Sequence, residues 1–138
     1  MRSARKKLLA ATVIGSLDHL KVAYGDHAEL ACVVRLDDAL AALDAGVDGV
    51  ICNVHFDDGA LFDLLRTIRS HKSTCTIPFI VIDASSTMTS PAITQSIKIA
   101  SMSLGARDVI QISKLVSEMG LSAAVHVTRT KVLGYLKV

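Results

Sequence analysis

Aromatic residues, proline and long apolar runs are all scarce in this chain. Its 138 residues include no tryptophan, two tyrosines, three phenylalanines and two prolines, although hydrophobic residues make up 51% of the total. The core must therefore consist mainly of Ala, Val, Ile and Leu, a composition that suits a parallel sheet covered by helices on both faces. No stretch approaches the roughly 20 apolar residues of a membrane-spanning helix, so we expect a soluble protein that does not enter the membrane.

Cysteine and surplus charge are also scarce, which excludes several classes of protein. Cys32, Cys52 and Cys75 are far apart and form no C-x-x-C pair, so neither a disulfide framework nor a zinc site is indicated. Fifteen basic against thirteen acidic residues leave a formal charge of +2, and four of the basic residues lie within positions 1–7. The other basic residues are scattered and offer no concentrated surface for nucleic acid. We expect a cytoplasmic protein that binds no nucleic acid and needs no cofactor.

Apolar runs of strand length alternate with helical patterns along the chain. The runs cover 8–14, 30–36, 49–54, 77–82 and 108–112, and the helical patterns cover 17–24, 37–44, 58–69, 91–104 and 113–133. Continuous apolar runs indicate strands buried on both faces, and strict alternation with helices implies parallel pairing. The sequence therefore predicts a doubly wound α/β fold with an open, five-stranded parallel sheet. A basic tail over 1–7 and one domain over 8–138 complete the predicted organisation.

Residues 50–69, 77–84 and 104–108 resemble three segments of the receiver domains of response regulators. Residues 50–69, VICNVHFDDGALFDLLRTIR, match without a gap the family's apolar strand, acceptor Asp, Met-Pro and helix ending in Leu-Leu-Arg-x-Leu-Arg. Residues 77–84, IPFIVIDA, are similar to the fourth strand, and 104–108, LGARD, to the start of the fifth. The resemblance covers roughly residues 28–125. It implies a flavodoxin-like (CheY-like) fold, a three-layer αβα sandwich, and a setting in two-component (phosphorelay) or related signalling.

The resemblance also implies where an aspartyl phosphate would form. In the family, an acidic pair after the first strand and the acceptor Asp bind Mg²⁺, while a Thr or Ser after the fourth strand and a Lys after the fifth contact the phosphoryl group. The corresponding residues here are Gly15, Ser16, Asn53, Asp83 and Ile112. Every one of them departs from the family pattern.

These departures remove the chemistry. An amide at position 53 cannot act as the carboxylate nucleophile, and an isoleucine at position 112 supplies no charge for phosphate oxygens. We therefore predict a degenerate pseudo-receiver that is not an enzyme, has no catalytic residue and holds no metal. Asn53 is expected to be a structural remnant whose amide bonds to nearby backbone or to Asp83.

Two other interpretations stay open. One is a small flavodoxin-like enzyme or ligand-binding domain that uses Asn53, His55, Asp57 and Asp83 at the sheet edge. The other is a conventional receiver phosphorylated on Asp57 or Asp58. A weak Mg²⁺ or Ca²⁺ site would need the carboxylates near this edge, although carboxylates on loops are more often simply solvated. Those carboxylates are Asp18, Asp57, Asp58 and Asp83.

Receivers usually present the fourth helix, fifth strand and fifth helix to a partner or to a second copy, so the resemblance implies an interaction surface there. Helical spacing predicts core stripes that consist of Ile93, Ile97, Ala100 and Leu104 on one helix and Val116, Met119, Ala123 and Val127 on the other. Apolar residues outside those stripes form the predicted interface. They are Ile99, Met102, Leu121, Val125 and Val132. We expect a protein partner or a homodimer.

Overall fold

Five strands alternate with helices in the computed structural model, which describes residues 5–84 and 91–136. The strands are β1 (Lys7–Ala11), β2 (Glu29–Val33), β3 (Gly49–Asn53), β4 (Phe79–Asp83) and β5 (Asp108–Gln111). The α-helices are α1 (Leu17–Tyr24), α2 (Leu36–Ala45), α3 (Leu61–Ser70), α4 (Pro91–Ser103), α5 (Ile112–Met119) and α6 (Leu121–Leu136). Short 3₁₀ turns at Ile14–Ser16 and Phe56–Asp58 follow β1 and β3.

The strands form one parallel sheet in the order β2-β1-β3-β4-β5. The chain first adds β2 on one side of β1 and then adds β3, β4 and β5 on the other, so the strand order reverses between β1 and β3. Ligands of doubly wound folds bind beside this reversal, beyond the carboxyl ends of the strands. The predicted flavodoxin-like class is thus confirmed.

Alternate side chains along each strand divide the core into two layers. Leu9, Val50 and Phe79 face the layer that α2, α3 and α4 cover, and these residues are fully buried. Their neighbours Leu8 and Ile80 face the opposite layer, beneath α1, α5 and α6. Burial on both faces explains why the strands are continuous apolar runs. None of the helices in the described part of the chain is long and apolar enough to cross a lipid bilayer.

The described part of the basic tail contacts the domain. The Arg5 Nη1 group donates to the carbonyl of Gly25 at 2.9 Å, and the Lys7 amide donates to Asp48 Oδ2 at 2.7 Å. Lys7 also pairs with Glu29 as the first residue of β1. The first strand therefore starts one residue inside the predicted tail.

The predicted single helix over 113–133 is wrong, because Gly120 divides it into α5 and α6. Its φ of +87° is left-handed, a conformation that glycine adopts without steric cost, and its amide closes α5 by donating to Val116 at 2.8 Å. Because a new helix starts at residue 121, the positions that face the core no longer follow the spacing predicted for one continuous helix. The buried side of α6 consists of Ala124, Thr128, Val132 and Leu136.

Candidate functional site

The loop after β1 differs from the sequence prediction. The strand ends at Ala11, which pairs with Cys52, so one further step along this register brings Thr12 level with Asn53. Gly15 and Ser16 lie farther along the chain, in the 3₁₀ turn where the Ser16 amide donates to the carbonyl of Val13. They were therefore wrongly assigned to the position directly after the strand, because the apolar run continues past the last paired residue. Thr12, which takes that position, is buried and carries no charge.

Asn53 is the last residue of β3 and is only 8% exposed. Its Oδ1 accepts a hydrogen bond of 2.8 Å from the amide of His55, which closes a turn of the kind that Asn side chains often form. Across the sheet it pairs with Ile82, whereas Asp83 pairs with Gln111. The amide oxygen of Asn53 thus bonds to the backbone of the loop that follows the strand. Bonding to nearby backbone was one of the two predicted alternatives, and bonding to Asp83 was the other.

The Asp57 side chain forms a hydrogen bond with the first residue of helix α2. Its Oδ2 accepts a 2.8 Å hydrogen bond from the amide of Leu36, the first residue of α2, and so satisfies one of the amides that a helix start leaves unpaired. Asp57 and Asp58 have φ values of 41° and 54°, and Gly59 continues the left-handed run at 95°. The proline that the family usually has at position 57 cannot adopt such an angle. The Asp57 carboxylate therefore has a structural role, while Asp58 is exposed.

Apolar side chains cover the edge beyond β4 and β5. Ile112 was predicted as the end of β5 but begins α5, because β5 stops at Gln111. Ile112 and Leu115 pack against the buried layer that includes Ile110 and the half-buried Ile82. Helix α5 also contacts β4. An apolar helix thus follows β5 where the family places its lysine.

The acidic residues of this edge do not converge. Within residues 5–84 and 91–136, no three His, Cys, Asp or Glu side chains are grouped closely enough to hold a metal ion. Asp18 lies exposed in the first turn of α1, and Asp57 accepts the α2 amide. The four carboxylates that a weak cation site would need are therefore not assembled around one point.

The thiols also lack the properties of nucleophiles. Cys52 is fully buried at the centre of the sheet, and burial raises its pKa far above the usual range of a thiol. Burial raises the pKa of Cys32 as well, although the nearby Lys21 opposes the shift. Since the thiolate is the reactive form of cysteine, burial makes these two thiols less reactive.

Solved structures of response regulators share this architecture. The phosphorylated cyanobacterial phytochrome response regulator RcpA aligns with a TM-score of 0.70 and 19% identity over 92% of this chain and 91% of its own. The chemotaxis response regulator CheY4 of Vibrio cholerae gives 0.69 and 14% identity over 94% of this chain and 99% of its own. A response regulator from Hahella chejuensis gives 0.68 and 15% identity over 95% and 94%. The fold is that of a receiver domain.

No protein-family model matches the sequence, and no curated protein matches it. Identities this low establish the receiver fold and leave the chemistry to be judged from the residues themselves.

The predicted interaction surface of this receiver fold is only partly on the outside. Ile99 and Met102 of α4 are 57% and 45% exposed, and Leu121 at the start of α6 is 66% exposed. Val125 is half-buried. Val132 was wrongly predicted to belong to the surface, because it is fully buried against the sheet in the shifted phase of α6.

The core stripes on both helices also differ from the prediction. Ile93 is 54% exposed and Ser101 is fully buried, while Ile97 and Leu104 pack against the core as predicted. On the last helices Met119 and Ala123 face solvent.

Thr12 was not among the predicted site residues. No local signal identifies it, because only the pairing between strands determines where β1 ends.

Proposed function

We propose that this chain is a non-catalytic, receiver-like signalling module of two-component or related regulation. It acts in the cytoplasm through protein–protein contact and does not form an aspartyl phosphate. The observation that carries the proposal is Asn53, which stands at the end of β3 with an amide in place of a carboxylate and with Oδ1 hydrogen-bonded to the next turn. An amide is not a nucleophile for phosphoryl transfer.

The surroundings of Asn53 support the same conclusion. Phosphoryl transfer to a carboxylate requires cations that offset the charge that accumulates at the site. Thr12 provides no metal ligand of negative charge, and Ile112 provides no cation. The pocket thus lacks the nucleophile, the acidic metal ligands and the lysine together, and a single substitution would not restore it.

The alternative acceptors have weaker support. Phosphorylation of Asp57 would use the carboxylate that holds the start of α2, so the modification would remove that hydrogen bond. Asp58 is exposed, but no group of metal ligands surrounds it among the described residues. An enzyme at this edge would need an activated group, and burial disfavours the reactive thiolate forms of Cys32 and Cys52.

Small acyl-phosphate donors test the proposal directly. Incubation with acetyl phosphate and Mg²⁺ should leave the intact mass of the protein unchanged, because position 53 provides an amide in place of the acceptor carboxylate. A hydroxylamine-labile phosphoryl adduct that peptide mass spectrometry maps to Asp57 or Asp58 would refute the proposal. Asp57→Asn and Asp58→Asn variants then identify the acceptor.

Asn53→Asp is the matched variant for this experiment. We expect it to remain unphosphorylated and to melt at a lower temperature, because it introduces a nearly buried carboxylate beside no cation. Efficient labelling of this single variant would mean that the pocket retains more of its chemistry than we propose.

The outer side of α4 supports self-association as the form of contact. Ile99 and Met102 are exposed apolar side chains on one helix, and Lys98 is its sole charged residue. A two-fold contact through α4 would bury the same side chains from both copies. A homodimer is therefore our proposed state, and a different protein partner on the same surface is the alternative.

A further inference from the structure

A shallow groove opens where α5 meets α6, and two residues of the predicted interface, Leu121 and Val125, line it. Its volume is about 830 Å³. The residues that line it include Met119, Leu121, Ala123, Val125, His126 and Arg129. The groove exists because Gly120 turns the chain sharply between the two helices, which brings the end of α5 beside the first turns of α6.

One wall of the groove is apolar and open to water. Met119 is 41% exposed and Leu121 is 66% exposed, so the two neighbouring side chains leave apolar surface open to a ligand. A site that recognises a peptide needs such a wall to receive an apolar anchor. Both residues lie next to Gly120, so they are presented together.

The other wall carries positive charge in a fixed geometry. Arg129 Nη1 donates to the carbonyl of Ala23 at 3.3 Å, and its Nη2 lies 3.4 Å from His126 Nδ1, which acts as the acceptor because a guanidinium can only donate. These contacts orient the side chain, and Nε makes no hydrogen bond to any described residue. A planar guanidinium with donors to spare matches the two oxygens of a carboxylate.

No acidic side chain neutralises this wall from within the groove. The lining contains no Asp or Glu, and neither residue occurs in the whole of α6. The nearest acid in the sequence, Glu118, is exposed and does not line the groove. A molecule that binds in the groove is therefore expected to carry negative charge.

We propose that the groove binds a segment of a partner protein that presents a carboxylate beside an apolar side chain. The carboxylate bonds to Arg129, and the apolar side chain contacts Met119 and Leu121. This inference rests on the proposed function, because it specifies the chemistry of the partner that the non-catalytic module binds. Nucleic acid and anionic lipid fit less well, because they need several cations and the groove provides one arginine.

Selection from a displayed library of random peptides, each about 16 residues long, on the immobilised full chain tests the proposal. We expect the enriched peptides to combine Asp or Glu with Leu, Ile or Phe within one or two helical turns. For peptides from that pool, Arg129→Gln and Leu121→Ser should each weaken binding by about fivefold or more in fluorescence anisotropy. Lys131→Gln removes the same charge from an exposed site on α6 outside the groove and should leave binding unchanged.

A double-mutant cycle sharpens the assignment. Replacing the peptide's carboxylate by an amide should weaken binding to the wild-type chain and add little further loss on Arg129→Gln, because both changes break one contact. Circular dichroism melts of each variant separate a binding defect from unfolding. Leu121→Ser changes an exposed side chain and is expected to fold normally.

Three results would overturn the proposal. The first is no enrichment over the bare support, the second is a pool without acidic residues, and the third is an equal loss of binding on Lys131→Gln. Tighter binding to vesicles with roughly 30% phosphatidylserine than to any selected peptide would assign the surface to lipid instead. The phosphorylation assay does not involve this groove, so a chain that takes up phosphate and still binds acidic peptides would refute only the proposed function.

Discussion

Arg69, near the end of α3, joins this helix to the loop that follows it and to the turn before β5. Its Nε and Nη2 donate to the carbonyl of Gly105 at 3.0 and 2.8 Å, and its Nη1 donates to Cys75 and Ile77 at 3.2 and 2.8 Å. Partial burial lowers the pKa of the guanidinium, with a further contribution from Arg107. One side chain thus satisfies carbonyls of the loop after α3 and of the turn before β5.

We expect Arg69→Ala to lower the free energy of unfolding by about 2–3 kcal/mol, because three carbonyls lose a charged donor. Arg66→Ala is the matched control on the same helix. Arg66 is 61% exposed and forms only a 3.6 Å ion pair with Asp63, so its removal should cost less than about 0.5 kcal/mol. Urea denaturation of both variants measures the difference, and equal values would contradict the role assigned to Arg69.

A second residue-level prediction concerns Ser101 of α4. Its side chain is fully buried, and its hydroxyl makes no hydrogen bond to any described residue. Ser101→Ala should raise the free energy of unfolding by about 1 kcal/mol, since it removes an unpaired buried hydroxyl and favours the helix. The exposed Ser96, whose hydroxyl donates to Ala92, is the control for helix propensity alone. A loss of stability in Ser101→Ala would indicate a partner for the hydroxyl.

Tyr24 makes stability depend on pH in the alkaline range. Burial raises its pKa to about 12, although the charge of Arg129 opposes the shift. Below about pH 10 the phenol is protonated in both the folded and the unfolded chain; from there to about pH 12 only the unfolded chain releases its proton. The free energy of unfolding should therefore fall by up to about 3 kcal/mol as the pH rises through this window. In Tyr24→Phe the decline should be smaller by that amount, and an unchanged pH profile would contradict the assignment.

At the scale of elements, replacing two glycines near the end of the chain is expected to change the free energy of unfolding in opposite directions. Gly120 between α5 and α6 has a φ of +87°, so Gly120→Ala should lower the free energy of unfolding by about 1–2 kcal/mol. Gly134 lies inside α6, and a Cβ there meets nothing within 4 Å, so Gly134→Ala should raise it by about 0.5–1 kcal/mol. Thermal melts followed by circular dichroism measure both. Two shifts of the same sign would mean that the chain does not need the break at 120.

For the whole molecule, the exposed face of α4 predicts association. If Ile99 packs across a two-fold axis, Ile99→Glu should convert a dimer into a monomer, because burying such a side chain contributes roughly 1.5–3 kcal/mol. Val22→Glu is the control, since Val22 is 85% exposed on α1, which covers the other face of the sheet. Light scattering at equal concentration reports the masses. A wild-type monomer would refute the dimer, and a Val22→Glu monomer would move the contact to α1.

The sequence by itself determined the class of fold and the residue types at the positions where receivers carry their chemistry. Five apolar runs alternating with helical patterns indicate a parallel sheet covered on both faces, and each run overlaps a strand of the sheet. The residue types at positions 53 and 112 are local facts that folding does not alter. Both conclusions depend on neighbours in the chain, which explains why they could be reached without coordinates.

Only the tertiary structure decided how far each element extends and which side chains meet. Thr12 replaces Gly15 and Ser16 at the end of β1 because pairing with β3 stops at Ala11. Val132 is core because the turn at Gly120 restarts the phase of α6. Asp57 reaches the amide of Leu36, and Arg129 reaches the carbonyl of Ala23. These contacts join residues far apart in the chain, so no local pattern carries them and packing alone selects them.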